Sequence, residues 1–335
     1  MAILKVDTIS GIGTEGPVFE GDIEFTSQNF LTLPKGDTTQ RGRGRGLIVA
    51  NYIQPANYNT SEFITIQSMG NSIDFGDTSA AVRSHATLAS STRALSASGY
   101  VAPSNVNTID FFTIATQSNS TDFGDLLGGS GEYVPISNET RGIFAGGYAY
   151  PATFNNIDFV TIATTGNSQD FGGLTTLRAS ANRSAVNSST RGLIAGGYIS
   201  PTGTNNIEFV TIATTGNSID FGNLTLGRSN NTNSMTNSIR MVMPGGLSPS
   251  ASTVIDFITT ATLGNAMDFG DSSSASEGAA SNSSPTRGVL YVGAPETGNT
   301  LEYINIMTQG DAVDFGDLSA ARRVYATASN GHGGL

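Results

Sequence analysis

The sequence has no cysteine, no tryptophan and only two histidines, His85 and His332, in 335 residues. Without cysteine, disulfide bonds and thiolate metal sites are excluded. Two histidines are too few for a histidine-based metal cluster. With one of them among the last four residues, they also give no basis for a Ser–His–acid set. We therefore expect no metal site, no cofactor and no catalytic residue.

Positive charge is also scarce, because 16 basic residues stand against 27 acidic ones and the formal net charge is −11. Nucleic-acid binding needs a basic footprint, so this balance argues against it. The one basic cluster, RGRGR from Arg41 to Arg45, leads directly into an apolar run and is interpreted as a solvated junction. The apolar run in MAILKVDTIS is too short for a signal peptide or a membrane span, so we expect a soluble protein made without export.

A repeat dominates the rest of the sequence. Residues 141–174 and 191–224 are nearly the same, and fainter copies begin at Arg45, Arg93, Arg240 and Arg287. The copies start about every 48 residues, and a fixed period of this length is typical of architectures that repeat one small structural unit.

Each copy has the pattern of short β-strands. RGLIAGGY is an apolar run that ends in a glycine pair, NNIEFVTIAT alternates apolar and polar residues, and SIDFGNL is a short run stopped by glycine. TGN supplies the turn between the last two, and the polar stretch before each arginine accommodates one more thin strand. Four strands per unit predict an all-β propeller with one blade per copy.

The two ends of the repeat region predict how the ring closes. The first copy opens on RGLIVANY without a first strand, whereas the last copy continues into LSAARRVYATASNGHGGL, which matches the first-strand segment TSAAVRSHATLASSTR. We predict a six-bladed β-propeller over residues 41–335 in which the C-terminal strand completes the first blade. Closure removes the exposed edges that an open solenoid would have to cap.

Three positions recur in all six copies and are interpreted as structural: the arginine that opens strand two, and the aspartate and phenylalanine of a DFG motif in strand four. Since strands two and four run parallel, we predict that these arginines and aspartates share one end of each blade and form a ring of contacts there. The arginines are Arg45, Arg93, Arg141, Arg191, Arg240 and Arg287; the aspartates are Asp74, Asp122, Asp170, Asp220, Asp268 and Asp314; the phenylalanines are Phe75, Phe123, Phe171, Phe221, Phe269 and Phe315.

These motifs have catalytic or metal-binding alternatives. One DFG alone is a kinase motif, but six copies at blade spacing without the other kinase motifs exclude that reading. DFGD brings two carboxylates together in four copies, which leaves a weak Ca²⁺ site open, although a calcium loop needs more oxygen ligands. Propellers also host glycosidases, but a catalytic carboxylate pair should break the repeat, so a non-enzyme is favoured.

The loops between strands two and three are the predicted recognition surface, because each carries a proline and their sequences differ most between copies. Variable loops on a rigid scaffold are where recognition tends to lie. We predict that aromatic residues in and beside these loops stack on sugar rings. These are Tyr58, Tyr148, Tyr150, Phe154 and Tyr198. The alternative is that the rings only cover the blade ends.

The glycine pairs give the repeat its resemblance to a known family. A strand that opens on arginine and a following glycine doublet, as at Gly146-Gly147, Gly196-Gly197 and Gly245-Gly246, resemble a kelch repeat. The chain departs from kelch at the fourth strand, where phenylalanine stands in place of tryptophan. The resemblance implies a kelch-like propeller, and a fold of this kind says little about function.

Residues 1–40 stand outside the repeat and contain short strand-like runs that cannot bury a core alone, so we predict an extended β arm that pairs with another chain or with the propeller. Within it, LPKGDTTQR resembles a segment found near the start of modules in bacteriophage tail fibres. The repeated wording IDFxTIATTGNxxDFGDL resembles structural proteins of marine bacteriophages, notably cyanophages.

This resemblance implies a virion structural protein, made in the host cytoplasm. We expect it to be associated with the tail or its fibres and homo-oligomeric in the particle. We expect residues 1–40 to bind other virion proteins and the propeller to contact a host-surface glycan. The alternatives are a head decoration or fibre protein without a receptor role, and a cellular glycan-binding or glycosidase propeller.

Overall fold

The computed structural model describes residues 44–53, 55–179, 188–199, 202–229, 234–276, 280–292, 298–322, 324 and 326–335. The predicted N-terminal arm, residues 1–40, lies outside the described residues, as do Arg41 and Arg43 of the basic cluster. Within the described ranges the chain is all-β. No helix that could cross a membrane occurs in them.

Twenty-eight strands follow one another along the described chain. They are β1 (Arg45–Val49), β2 (Asn51–Ile53), β3 (Ala56–Tyr58), β4 (Thr60–Thr65), β5 (Ile73–Asp77), β6 (Ala86–Ala89), β7 (Arg93–Val101), β8 (Ser104–Thr113), β9 (Thr121–Asp125), β10 (Val134–Ser137), β11 (Arg141–Ala145), β12 (Tyr148–Ala149), β13 (Ala152–Thr153), β14 (Asn156–Thr161), β15 (Gln169–Gly173), β16 (Arg191–Ala195), β17 (Tyr198–Ile199), β18 (Thr202–Thr211), β19 (Ile219–Arg228), β20 (Met235–Thr236), β21 (Arg240–Pro244), β22 (Ser252–Thr259), β23 (Met267–Ser276), β24 (Ser281–Ser283), β25 (Arg287–Tyr291), β26 (Thr300–Asn305), β27 (Val313–Asp317) and β28 (Ala326–Ser329).

Most of these strands form six antiparallel sheets arranged as a six-bladed β-propeller, which confirms the predicted fold. The short strands β2-β3 and β12-β13 form separate two-stranded sheets, and β17 pairs with β18. From the axis outwards, blade 1 is β28-β1-β4-β5, blade 2 is β6-β7-β8-β9, and blade 3 is β10-β11-β14-β15. Blade 5 is β20-β21-β22-β23 and blade 6 is β24-β25-β26-β27. Of blade 4, the described residues include β16, β18 and β19.

The ring closes as the sequence predicts. Strand β28 pairs with β1 from Gly46↔Ser329 to Val49↔Ala326, so the end of the chain completes the first blade. Side chains of blade 6, including Phe315, share an apolar cluster with Ile64 of blade 1. Backbone pairing therefore joins the two ends of the propeller chain within blade 1, and side-chain packing joins blade 1 to blade 6.

The core of the protein lies between blades. Six buried apolar clusters each combine residues of two consecutive blades, as Phe123 of blade 2 and Phe144 of blade 3 illustrate. In every blade the DFG phenylalanine stands edge-on to the aromatic ring of the third strand, with centroids 5.9–6.4 Å apart. Because each DFG phenylalanine also belongs to one of the six clusters, it packs between blades as predicted.

A second contact between blades joins the turn between strands three and four to the outer strand of the preceding blade. We call it the inter-blade turn contact. At the blade 3–4 interface, Gly216 N donates to Phe171 O at 2.7 Å and Gly173 N donates to Asn217 Oδ1 at 3.0 Å. The bond to the turn side chain recurs at all six interfaces at 3.0–3.1 Å.

The inter-blade turn contact explains the glycine of DFG. Gly172 has φ 146°, and a Cβ atom there would lie 2.5 Å from the carbonyl oxygen of Gly216. Only glycine accepts that backbone conformation without strain and lets the neighbouring turn come so close. TGN and DFG are therefore the two halves of one contact between adjacent repeats.

The predicted ring of Arg–Asp contacts is wrong. Each signature arginine instead stacks on the third-strand aromatic of its own blade, with the guanidinium carbon 4.4–4.9 Å from the ring centroid. Each also donates to a main-chain carbonyl of the next blade, as Arg141 Nη1 does to Ile212 O at 2.8 Å. The sixth of these bonds, from Arg287 to Ile66 O at 3.3 Å, again joins blade 6 to blade 1.

The reason lies in the alternation of side chains along a strand. Arginine and aspartate do share one end of the blade, as strand direction requires. In blade 3, however, Asp170 of β15 pairs with Asp158 of β14, and Asp158 pairs with Phe144 of β11, so these three side chains lie on one face of the sheet. Phe144 lies three residues after Arg141. An odd spacing puts side chains on opposite faces of a sheet. The arginine therefore faces the aromatic core, and the aspartate carboxylate is exposed on the other face.

The segment after β28 lies across the ends of the inner strands. Asn330 Oδ1 accepts from Gly44 N and Arg45 N at 2.8 and 3.0 Å. His332 is 3 % exposed, and its Nε2 lies 2.8 Å from Ala89 O of blade 2. Residues 330–335 thus connect blade 1 to the neighbouring blades near the axis.

We expect Gly172→Ala to destabilise the propeller by roughly 2–4 kcal/mol, because it adds backbone strain and a clash with the adjacent blade. Urea denaturation measures the loss. Gly216→Ala is the matched control: it also has positive φ and belongs to the same contact, but a Cβ there meets nothing within 4 Å. Equal losses in the two variants would contradict the close-approach explanation.

Removal of residues 326–335 is expected to lower the melting temperature and promote aggregation, since it unpairs β1 and leaves an exposed edge. Calorimetry with light scattering measures both effects. Removal of residues 331–335 alone keeps β28 and Asn330 and separates the strand from the tail. An unchanged melting temperature after the larger deletion would show that the β28–β1 pairing contributes nothing to ring closure.

Candidate functional site

The proline loops and the linkers between blades lie on one face, as predicted. Four linkers run beside the end of strand two and form an isolated bridge with it within the described residues, such as Gly131↔Tyr148 and Arg83↔Tyr100. The glycine that precedes each bridged residue of strand two permits this approach. Gly99 has φ 105°, and a Cβ there would lie 2.7 Å from Arg83 O.

On this face a cleft of about 630 Å³ lies between blades 2 and 3. Its walls combine the proline loop of blade 2, the end of strand two of blade 3 and the linkers that follow β5 and β9. The volume falls within the range of small-molecule binding sites. Its principal side chains are Arg83, Tyr100, Pro103, Asn105, Glu132, Tyr148 and Tyr150.

The polar and aromatic groups of the cleft are held in place by their neighbours. The guanidinium carbon of Arg83 lies 4.7 Å from the ring centroid of Tyr100 and 5.1 Å from that of Tyr52. Asn105 Nδ2 donates to Tyr148 O at 3.4 Å, which ties the loop of blade 2 to blade 3. The Tyr150 ring is 87 % exposed at the rim. The cleft thus offers flat aromatic faces beside a cation, an anion and an amide.

The five aromatic residues predicted from the sequence divide into three groups. Tyr148 and Tyr150 line the cleft between blades 2 and 3. Phe154 lines a smaller cavity in blade 3. Tyr58 and Tyr198 are 40 % and 39 % exposed and line neither. The structure therefore brings together two of the five residues.

Sequence reasoning missed Arg83, Tyr100 and Glu132 as members of this cleft. The residues at the position of Arg83 in the other five copies are Gly131, Ala179, Ser229, Glu277 and Arg323. This position therefore varies in size and charge, and arginine recurs in the last copy. Such variation shows that the fold does not require one residue type there, but it does not predict that Arg83 lines a cleft.

Behind the loops, each blade buries one carboxylate on its third strand. These six carboxylates are at most 8 % exposed. Each accepts hydrogen bonds from a residue of the preceding linker, so it also secures the path between blades. They are Glu62, Asp110, Asp158, Glu208, Asp256 and Glu302.

In three blades a buried arginine from the preceding linker completes the arrangement. The ion pairs are Arg178–Glu208, Arg228–Asp256 and Arg322–Glu62. Burial alone would raise the pKa of Glu208, but the charge of Arg178 and hydrogen bonds from Ser218 and Thr175 outweigh it and hold the pKa below its usual range. Asp158 has no such arginine, and burial raises its pKa above the usual value despite hydrogen bonds from Asn156, Leu127 and Ser168.

Within the described residues, no group of three or more His, Asp or Glu side chains is placed to hold a metal ion. A comparison of the chain with known protein families finds no match, and a comparison with curated proteins finds none either.

The two kinds of buried carboxylate should respond differently to neutralisation. Glu208→Gln leaves Arg178 as an unpaired buried cation, so we expect a loss of roughly 3–5 kcal/mol at neutral pH. Asp158→Asn removes a carboxylate with no cationic partner and should cost much less. Urea denaturation of both variants measures the difference. Equal losses would contradict the assignment of Arg178 as the partner of Glu208 alone.

The pH dependence has opposite signs for the two groups. The lowered pKa of Glu208 contributes stability that is present above its unfolded value and is lost as pH falls through the folded value. The raised pKa of Asp158 contributes stability that is present below its unfolded value and is lost as pH rises through the folded value. Relative to wild type, Asp158→Asn should therefore gain stability with increasing pH and Glu208→Gln should lose it.

Proposed function

We propose that the protein is a structural component of a bacteriophage particle, associated with the tail or its fibres. In this proposal residues 1–40 attach it to other virion proteins, and the propeller contacts a host-surface carbohydrate. The carbohydrate binds in the cleft between blades 2 and 3. The role is one of binding, with no catalytic step.

The cleft is the observation that carries the binding half of this proposal. Sugars present apolar C–H faces and hydroxyl groups, and they are bound by aromatic rings next to charged and amide side chains. Tyr148 and Tyr150 supply rings, and Arg83, Asn105 and Glu132 supply hydrogen-bonding groups around them. The phage half of the proposal is supported by the resemblance of LPKGDTTQR and of the repeat to phage structural proteins.

Binding is tested with the purified full-length protein on an array of bacterial surface polysaccharides. We expect wild type to bind a subset of them and Tyr150→Ala to weaken that binding by roughly tenfold, as the loss of one aromatic stacking contact does. Tyr198→Ala is the matched control, because Tyr198 occupies in blade 4 the position of Tyr148 and does not line the cleft. Equal binding by wild type and Tyr150→Ala would exclude the cleft as the site.

The particle assignment is tested separately by proteomics and antibody labelling of purified virions. Labelling on tails or fibres is the expected result, and labelling on heads alone would favour a decoration role. Absence from particles would favour a cellular glycan-binding propeller. Removal of residues 1–40 should yield a folded propeller that no longer joins the particle, and full incorporation of this truncated chain would overturn the attachment role.

A further inference from the structure

The linker position that supplies the buried arginine varies around the ring. This position is the eighth residue after the DFG aspartate. The ninth residue forms the isolated bridge to the end of strand two in the four linkers where that residue is described. Arginine occupies it as Arg178, Arg228 and Arg322 ahead of blades 4, 5 and 1. Ahead of the other three blades it is Val82, Ser130 and Ser276.

Blade 4 shows what the arginine does. Arg178 Nη1 donates to Gly196 O and Asn206 O at 3.0 and 3.2 Å, and Nη2 donates to Asn206 Oδ1 at 2.6 Å. Nη2 also pairs with the carboxylate of Glu208. Two carbonyls, an amide oxygen and a carboxylate thus form a complete receptor for a guanidinium group.

Blade 3 has the same acceptors but no arginine. Gly146 and Asn156 take the places of Gly196 and Asn206, because Gly146 N donates to Asn156 O as Gly196 N does to Asn206 O. Asp158 takes the place of Glu208 and is fully buried. Ser130 stands where Arg178 stands, and a cavity of about 290 Å³ opens between Ser130, Asn156 and Asp158.

The linker ahead of blade 3 differs from the other linkers at a second position, which also contacts Asp158. The residue five positions after the DFG aspartate is serine or threonine in every other linker, and its hydroxyl donates to the carboxylate in most of them. In blade 3 this residue is Leu127, which donates only its N–H, at 3.1 Å. Asp158 therefore lacks both the arginine that three blades have and the linker hydroxyl residue that the other five blades have.

The amide of Asn156 partly compensates for these losses. Its Nδ2 donates to Asp158 Oδ1 at 3.3 Å, whereas the amide of Asn206 donates to its DFG aspartate, Asp220, at 2.8 Å. The corresponding aspartate in blade 3, Asp170, lines the cavity. A rotation of Asn156 toward Asp170 would expose Asp158 and present the amide oxygen, which is the arrangement that receives Arg178.

We propose that this blade 3 cavity is a binding pocket for an alkylguanidinium group from outside the propeller. The guanidinium takes the place of the absent arginine against Asp158, Asn156 Oδ1 and the carbonyls of strand two. The alkyl stem lies among Leu127, Tyr133 and Phe154, which form the apolar part of the walls. The pocket is separate from the carbohydrate cleft, although both border Gly129.

Blade 2 also lacks the buried arginine, but it has no comparable cavity. In blade 2 the arginine position is Val82, and the space beside Asp110 shrinks to about 20 Å³, which admits no ligand of this size. Asp110 keeps both donors of Ser79. Blade 3 alone combines a missing arginine, a missing hydroxyl and an open cavity among the blades whose linkers are described throughout.

The proposal is tested by titrating methylguanidinium into the isotope-labelled full-length protein and following its NMR spectrum, well below denaturing concentrations. We expect saturable shifts confined to residues around the cavity, including the side-chain amide of Asn156. Methylammonium should bind more weakly, because a point charge cannot make the planar, forked set of bonds. Agmatine and an acetylated, amidated arginine then distinguish a free guanidine from the arginine of a polypeptide as the source.

Three variants decide the outcome. Asp158→Asn should weaken binding at least about tenfold, since it removes a charge-assisted bond. Ser130→Arg should abolish binding by placing the protein's own guanidinium in the pocket. Asp110→Asn should bind as wild type does. Unchanged binding by Asp158→Asn and Ser130→Arg, or no saturable shift in wild type, would overturn the proposal.

Discussion

The propeller depends on the inter-blade turn contact, in which the glycine turn of one repeat docks on the DFG strand of the repeat before it. A blade of four short strands cannot bury two apolar faces by itself. Six such contacts fix the distance between neighbouring blades, and six apolar clusters fill the space between them. The signature arginines then tie each blade to the next through a main-chain carbonyl. The turn, the DFG motif and the signature arginine therefore each contact a neighbouring blade.

Much of this architecture follows from the sequence, because the residues that the fold requires recur at the same positions in all six copies. Blade number, the closing role of β28 and the packing role of the DFG phenylalanine were all predictable from spacing and periodicity. The arginine contacts were not, because strand direction specifies only the end of the blade. The face on which Asp170 lies depends on counting residues through the pairing of β11, β14 and β15, and that register becomes visible only in the structure.

The candidate site was harder to predict for a related reason. Tyr148 and Tyr198 have nearly identical sequence surroundings, yet only Tyr148 lines the cleft. What differs is the two linkers beside Tyr148. The linker after β9 contributes Glu132 and the glycines around Ser130, and the linker after β5 contributes Arg83. A binding surface formed by two adjacent repeats depends on their combination, and no single copy of the motif contains that information.

The separation of the two faces has an evolutionary consequence. The inter-blade turn contacts lie at one end of the strands and the proline loops lie at the other, so a loop can change without altering how blades meet. The third and fourth copies have nearly the same amino-acid sequence on both sides of the loop, so a loop from one copy fits between the strands of the other. Exchange of such a loop would leave the ring intact and would allow ligand preference to diversify faster than the scaffold that presents it.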